Sequence, residues 1–238
     1  MLTSESCHLA QSLVERADEG VDVVIAPSFT SLYTVGQIIK NTPIGLAGQN
    51  FHSEMKGAYT GEVSLEMLND VGCRYALIGH SERRQLFGES DVEINKKVHL
   101  ALQNGFTAIV CIGETLEQRE AGDTLKVIKI QLSQGLAGLS GDSISNLVIA
   151  YEPVWAIGTG LNATPEQAVE IHKFIRNFLF ESLGFSKNVG VRILYGGSVT
   201  PKNCKELLSE KEINGALVGG ASLNFESFCA IINSSLES

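Results

Sequence analysis

Seven short apolar, β-branched runs punctuate this chain, each separated from the next by a longer stretch of helical period. They are Val21 to Ala26, Ile44 to Gln49, Tyr75 to Gly79, Thr107 to Ile112, Leu147 to Tyr151, Val191 to Tyr195 and Gly215 to Val218. Runs apolar on both faces suit a parallel sheet covered by helices. The intervening segments carry helix punctuation. Thr164-Pro165-Glu166-Gln167 offers an N-cap, a proline at the first helical position and a capping-box glutamine, and Gly184 closes that helix. Thr200-Pro201 opens another, and Gly105 ends the segment carrying Val98, Ala101 and Leu102. Repeated βα units leave two architectures open, a doubly wound sheet or a closed barrel. The first element is a helix, with an apolar stripe of Leu9, Ala10, Leu13, Val14 and Ala17. A closed (β/α)8 barrel needs one strand more than the seven runs supply.

The 238 residues, 44% of them apolar, suit one barrel-sized domain spanning 1–238, with no linker and no shift in composition. A net charge of -9 and the lack of a basic run argue against nucleic acid and anionic membranes as partners. An anionic substrate must then be held by local devices such as helix N-termini and backbone amides. Five scattered cysteines without metal-ligand spacing point to a reduced, cytoplasmic setting. No apolar stretch reaches membrane-spanning length, and the opening residues resemble no signal peptide.

Three constellations could carry chemistry. The run Leu147-Val148-Ile149-Ala150 ends in Tyr151-Glu152-Pro153-Val154-Trp155-Ala156-Ile157-Gly158-Thr159-Gly160, a carboxylate on a strand followed by a loop of lid length. A base on a rigid strand beneath a closable loop suits abstraction of a weakly acidic proton away from water. A solvated glutamate ending a strand is the plain alternative. In Tyr75-Ala76-Leu77-Ile78-Gly79-His80-Ser81-Glu82-Arg83-Arg84 a strand runs into His80 and at once into a helix start. That placement disfavours an imidazolium and makes His80 a neutral hydrogen-bond donor, unless it merely caps the strand. Two Gly-Gly steps, Tyr195-Gly196-Gly197-Ser198-Val199 and Val218-Gly219-Gly220-Ala221-Ser222, close the last two runs. Paired at consecutive strand ends, they favour phosphate binding over plain turns. The loop Gly57-Ala58-Tyr59-Thr60-Gly61-Glu62 reads equally as a mobile surface loop or a protruding contact loop. Cys111 in Cys111-Ile112-Gly113-Glu114-Thr115 is a poor candidate nucleophile, because no second histidine shares a strand-end setting.

Together these words resemble the triosephosphate isomerase family, from the opening helix to the C-terminus. The lid word from Tyr151 to Gly160 is the most specific, followed by Ile78 to Arg84 and by Tyr195 to Val199. The resemblance implies a TIM barrel, of which seven of the eight strands are encoded. It implies a reaction interconverting glyceraldehyde 3-phosphate and dihydroxyacetone phosphate through an enediolate. Glu152 would be the base, His80 would polarise the carbonyl, and Pro153 to Gly160 would form the lid. Gly158, Ser198, Gly219 and Gly220 would hold the phosphate. It further implies a homodimer docked through Gly57 to Glu62, with no metal ion and no organic cofactor. The family opens with a strand ending in an Asn-x-Lys motif, and Glu82 is a plausible partner for that lysine. Here Met1 stands just before the first helix, where the family has an internal methionine after the lysine. Met1 is therefore expected to be that internal methionine. The alternative implied by the same mismatch is an impaired barrel homologue retaining only phosphate binding or subunit contacts.

Overall fold

The computed structural model describes residues 1–16, 20–139, 141, 144–157, 162–185 and 190–236. The chain runs α1 (Thr3–Val14), β1 (Val24–Ile25), α2 (Phe29–Ile39), β2 (Gly45–Gly48), α3 (Leu65–Asp70) and β3 (Tyr75–Ile78). It continues through α4 (Ser81–Leu86), α5 (Asp91–Gln103), β4 (Thr107–Ile112), α6 (Leu116–Glu120), α7 (Thr124–Gly135) and β5 (Leu147–Tyr151). The remainder is α8 (Pro165–Glu181), β6 (Arg192–Tyr195), α9 (Cys204–Leu208) and α10 (Phe225–Leu236).

The six strands form one parallel sheet in chain order. Side chains alternate across it. Leu77, Ile109, Cys111 and Ala150 point into the concave interior, where Tyr75, Val148, Leu194 and Leu217 join them. Their neighbours Ala76, Ile78, Val110, Ile112, Ile149 and Tyr151 face the helices and belong to the larger core. This double burial is why the runs read as continuously apolar.

The seventh run is not a strand, and the expectation of seven is corrected to six. Gly215 to Val218 meets β6 at a single bridge, Tyr195 to Ala216. The Tyr195 amide donates to Gly215 O at 3.0 Å and the Leu217 amide to Tyr195 O at 2.9 Å. Two local features stop the ladder from lengthening. Asn214 Oδ1 takes the Ile193 amide at 2.9 Å, where a strand would offer a backbone carbonyl. Gly215 sits at φ 150, and the far side of this segment has no neighbouring strand among the described residues. For the same reason the first run shrinks to the two residues of β1, which pairs only with β2. The sheet nevertheless curls far enough for Arg192 of β6 to reach Asp22, just before β1, at 2.5 Å. Outside it, α1 packs on α2 and touches α10, so the helical layer continues across the gap in the sheet.

Helix boundaries follow the punctuation. Thr164 caps α8 in a reciprocal box with Gln167, Pro165 opens it, and Gly184 beyond it has φ 69. α5 ends before Gly105, at φ 74. The α1 stripe is borne out at Ala10 and Leu13, while Ala17 lies outside the described residues. The helix expected at Thr200 begins instead at Cys204. Asn203 Oδ1 takes the Thr200 amide, at 2.8 Å, so the intervening residues form a turn.

On α8, His172 is fully buried and gives the fold an acid-sensitive point. Its Nδ1 donates to Glu212 O at 3.1 Å, the buried Nε2 finds no partner among the described residues, and the Tyr151 ring packs edge-on. Burial, aided by the Arg176 charge, pulls its pKa down to about 4. The unfolded chain, at about 6.5, therefore binds a proton that the folded chain refuses. Stability is full above the unfolded value and declines as pH falls from about 6.5 toward 4, by roughly 3 kcal/mol in total. Melting curves across that window are expected to flatten in His172→Gln. An unchanged pH slope in the variant would show that His172 does not carry the effect.

Candidate active site

The C-terminal ends of β3, β4, β5 and β6 meet at one mouth. Glu152 follows β5 directly, and its amide donates to Ile112 O of β4 at 2.7 Å. Next to it, just past the end of β4, Gly113 lies so close that a Cβ there would overlap Glu152 O, at 1.7 Å. Gly196 closes in from β6, its amide on Tyr151 O at 2.7 Å. The carboxylate is thus fixed by backbone on both sides and is only 2% exposed.

His80 caps the six-residue helix α4. Its Nδ1 accepts the Glu82 amide at 3.4 Å, and its Nε2 stands 3.0 Å from Glu152 Oε1. With Nδ1 turned to the Glu82 amide, Nε2 is the ring nitrogen placed to donate to the carboxylate. The Ser81 amide donates to Glu152 Oε2 at 2.8 Å. Burial holds the Glu152 carboxyl above the usual carboxylate range, opposed by His80, the Ser81 donor and Arg84. A carboxylate so placed is a stronger base than one in water.

These groups open onto a cavity of about 1320 Å³ that also reaches Ile157, Gly196, Gly197, Ser198 and the turn Gly219 to Ser222. Ser198, Gly219 and Gly220 are therefore brought to the same space as His80 and Glu152. A Cβ on Gly219 or Gly220 would meet nothing within 4 Å, so these two glycines face open room. Gly158 and the end of the lid word, to Gly160, lie outside the described residues. Glu82 also lines the cavity, its carboxylate 3.9 Å from His80 Nδ1. Cys111 is wholly buried, and burial together with the neighbouring Glu152 charge pushes its thiol far up, which removes it as a nucleophile.

The cavity is larger than a small-molecule pocket, typically about 300–1,000 Å³. It continues past the mouth along both open sheet edges, lined by Val24 and Ile25 on one side and Ala216 to Val218 on the other. Among the described residues no lysine lines it, and its arginines, Arg83 and Arg192, have acidic neighbours in Glu89 and Asp22. Lys97 is buried elsewhere, on Glu89 and Asn50 Oδ1.

The chain matches the family described as triosephosphate isomerase over residues 2–235. The chain belongs to this family. It is 50% identical over 232 residues to the triosephosphate isomerase of Geotalea uraniireducens, covering 97% of this chain and 92% of that protein. It is 52% identical to that of Carboxydothermus hydrogenoformans over 217 residues, covering 91% of this chain and 86% of the relative. Against the Aquifex aeolicus triosephosphate isomerase it is 52% identical over 216 residues, with 91% and 87% covered.

Two supporting groups are not legible from the sequence, one buried and one partly buried. Glu114, with no exposure, accepts the Tyr151 hydroxyl at 3.1 Å and Trp155 Nε1 at 2.9 Å, and Arg119 approaches at 3.3 Å. It thereby anchors the first residues of the lid word to the end of β4. The second is Arg84, whose guanidinium binds behind the mouth rather than in it. The one sequence signal for Glu114 is its place in Gly113-Glu114, just past a strand end.

Proposed function

We propose that this chain interconverts glyceraldehyde 3-phosphate and dihydroxyacetone phosphate by proton transfer through an enediolate. The observation that carries this reading is Glu152. It is a buried, backbone-fixed carboxylate with a raised pKa, 3.0 Å from an imidazole nitrogen placed to donate, at the mouth of a cavity rimmed by glycine turns. The carboxylate takes the proton from the carbon beside the carbonyl and returns it to the neighbouring carbon. His80 Nε2–H hydrogen-bonds the oxygens on which negative charge develops. Both oxygens of Glu152 are held by donors at the β3–α4 junction, so reaching a carbon-bound proton requires releasing at least one of them. Ser198, Gly219 and Gly220, with Gly158, supply the phosphate site, and Pro153 to Gly160 the lid. The reaction asks for a base, a donor and an anion cradle, all of them protein groups, and no metal or organic cofactor enters it.

The finer architecture belongs to the same proposal. The space between β1 and the 216–218 segment fits one more parallel strand, which would bridge the two edges and close the sheet on itself. A cation at that strand's C-terminal end would face Glu82. The exposed loop Gly57 to Glu62, with the Tyr59 ring tilted against His52 at 3.9 Å between centroids, serves as the docking arm of a homodimer. The free cysteines fit a cytoplasmic setting.

The test is turnover of glyceraldehyde 3-phosphate, inhibited competitively by inorganic phosphate and by a phosphorylated carboxylate that mimics the enediolate. Gly220→Asp, introduced into open space, is expected to raise KM. Like-charge repulsion of about 1 kcal/mol corresponds to roughly fivefold. Analogue binding without turnover would favour the second reading, an impaired homologue that only binds phosphate, for which the open sheet is the supporting observation. Neither turnover nor binding would sink both.

A further inference from the structure

Behind the mouth, one side chain joins the two strand ends that carry the site. Arg84 Nε donates to Gly79 O at 2.8 Å, Nη2 to Cys111 O at 3.1 Å, and Nη1 to Asp91 Oδ1 at 2.6 Å. Gly79 immediately precedes His80. Cys111 immediately precedes Ile112, whose carbonyl holds the Glu152 amide. The β3–β4 ladder ends at the pair Ile78 to Val110, so the carbonyls of Gly79 and Cys111 lie just beyond the last paired register. The guanidinium takes the place of the missing ladder bonds at that point. It can lie there because residue 79 is glycine: a Cβ would come within 3.2 Å of Arg84 Nη2 and 2.7 Å of Ile94 Cδ1, and the backbone has φ 73. Asp91 opens α5 behind the capping Ser90, and it orients the fork from outside the cavity. Arg84 and Asp91 are each 15% exposed at the side chain, and neither lines the cavity.

We propose that Arg84 is a positioning residue for this chemistry, setting the height of His80 relative to Glu152 by clamping the ends of β3 and β4. The inference rests on the isomerase reading above. A lysine keeps the charge but cannot reach two carbonyls and a carboxylate in one plane, so the fork and the charge are separable. Reacting groups displaced by about 1 Å lose up to ~100-fold in rate, which bounds the expected effect.

The experiment compares Arg84→Lys, Arg84→Ala and Asp91→Asn with the unmodified chain for kcat, KM and melting temperature, and for the ¹⁵N spectrum of His80. Arg84→Lys is expected to lower kcat about ten- to hundredfold with KM within about twofold, because phosphate contacts lie elsewhere. Arg84→Ala is expected to recover part of its kcat on addition of guanidinium ion, and Asp91→Asn to show a smaller loss in the same direction. The ring signals of His80 should shift in all three. The spectrum does not depend on turnover, so it tests the clamp even if the isomerase reading fails. A lowered melting temperature with unchanged kcat and unchanged His80 signals would overturn the proposal and leave Arg84 a structural brace. Should the Arg84 variants not fold, Asp91→Asn decides on the same two readouts.

Discussion

Glu152→Gln should lose roughly 10²- to 10⁴-fold in turnover and at the same time become harder to unfold at neutral pH. Both follow from one arrangement, a carboxylate at 2% exposure whose pKa burial raises against the pull of His80 and Ser81. Below the unfolded-state value the group is protonated in either state and exerts no effect on stability. As pH rises through the higher folded value, the unfolded chain ionises more readily than the folded one, and stability is lost. The amide does not ionise and escapes that loss. The gain in melting temperature should therefore grow from acid to neutral pH. A variant less stable than the parent at neutral pH would mean that the carboxylate's hydrogen bonds outweigh its desolvation.

The second large effect concerns the gap in the sheet. Among the described residues the edges at β1 and at 216–218 have no further strand beside them, and both border the cavity of about 1320 Å³. Open parallel edges invite pairing with other chains. Each net hydrogen bond left unmade is worth roughly 1 kcal/mol, against a total stability of about 5–15 kcal/mol. The 238-residue chain alone is expected to melt early and to self-associate in light scattering. A synthetic apolar strand carrying a lysine at its C-terminal end, offered in trans or fused before Leu2, should seat between β1 and 216–218 and suppress both. If the lysine comes within about 4 Å of the developing oxyanion, its attraction is about 4 kcal/mol at an effective dielectric near 20. That corresponds to about a thousandfold in turnover. A monodisperse, cooperative and heat-stable chain with no added strand would contradict this expectation.

What the sequence disclosed was local. The capping box of α8 is written within four residues, Thr164 to Gln167, and each glycine stop lies within two or three residues of its helix. Glu152 and His80 were legible because each ends an apolar run, and in a parallel sheet such ends gather on one side. The limits of the strands were not legible. Asp22 apart, Val21 to Ala26 and Gly215 to Val218 are as apolar as the central runs, but a ladder needs partners, and these two segments lie at the edges. The supporting groups were hidden for a related reason. Arg84 works on carbonyls five and twenty-seven residues away, and Glu114 on side chains of β5 and the lid word, and no spacing rule connects such positions. His172 likewise looks in sequence like any helical histidine. Its burial, with Nδ1 on the 212 carbonyl, the Tyr151 ring edge-on and Nε2 without a partner among the described residues, arises only from packing between distant segments.

The most direct measurement is exchange of the carbon-bound proton. The purified chain and its Glu152→Ala variant are incubated with dihydroxyacetone phosphate in D₂O, and deuterium on carbon is followed by NMR. Enzyme-dependent deuterium incorporation that disappears in the variant is the predicted result, and it stands even if full turnover is slow. Incorporation at the same rate in both proteins, or at the buffer rate in the unmodified chain, would contradict the assignment of Glu152 as the base.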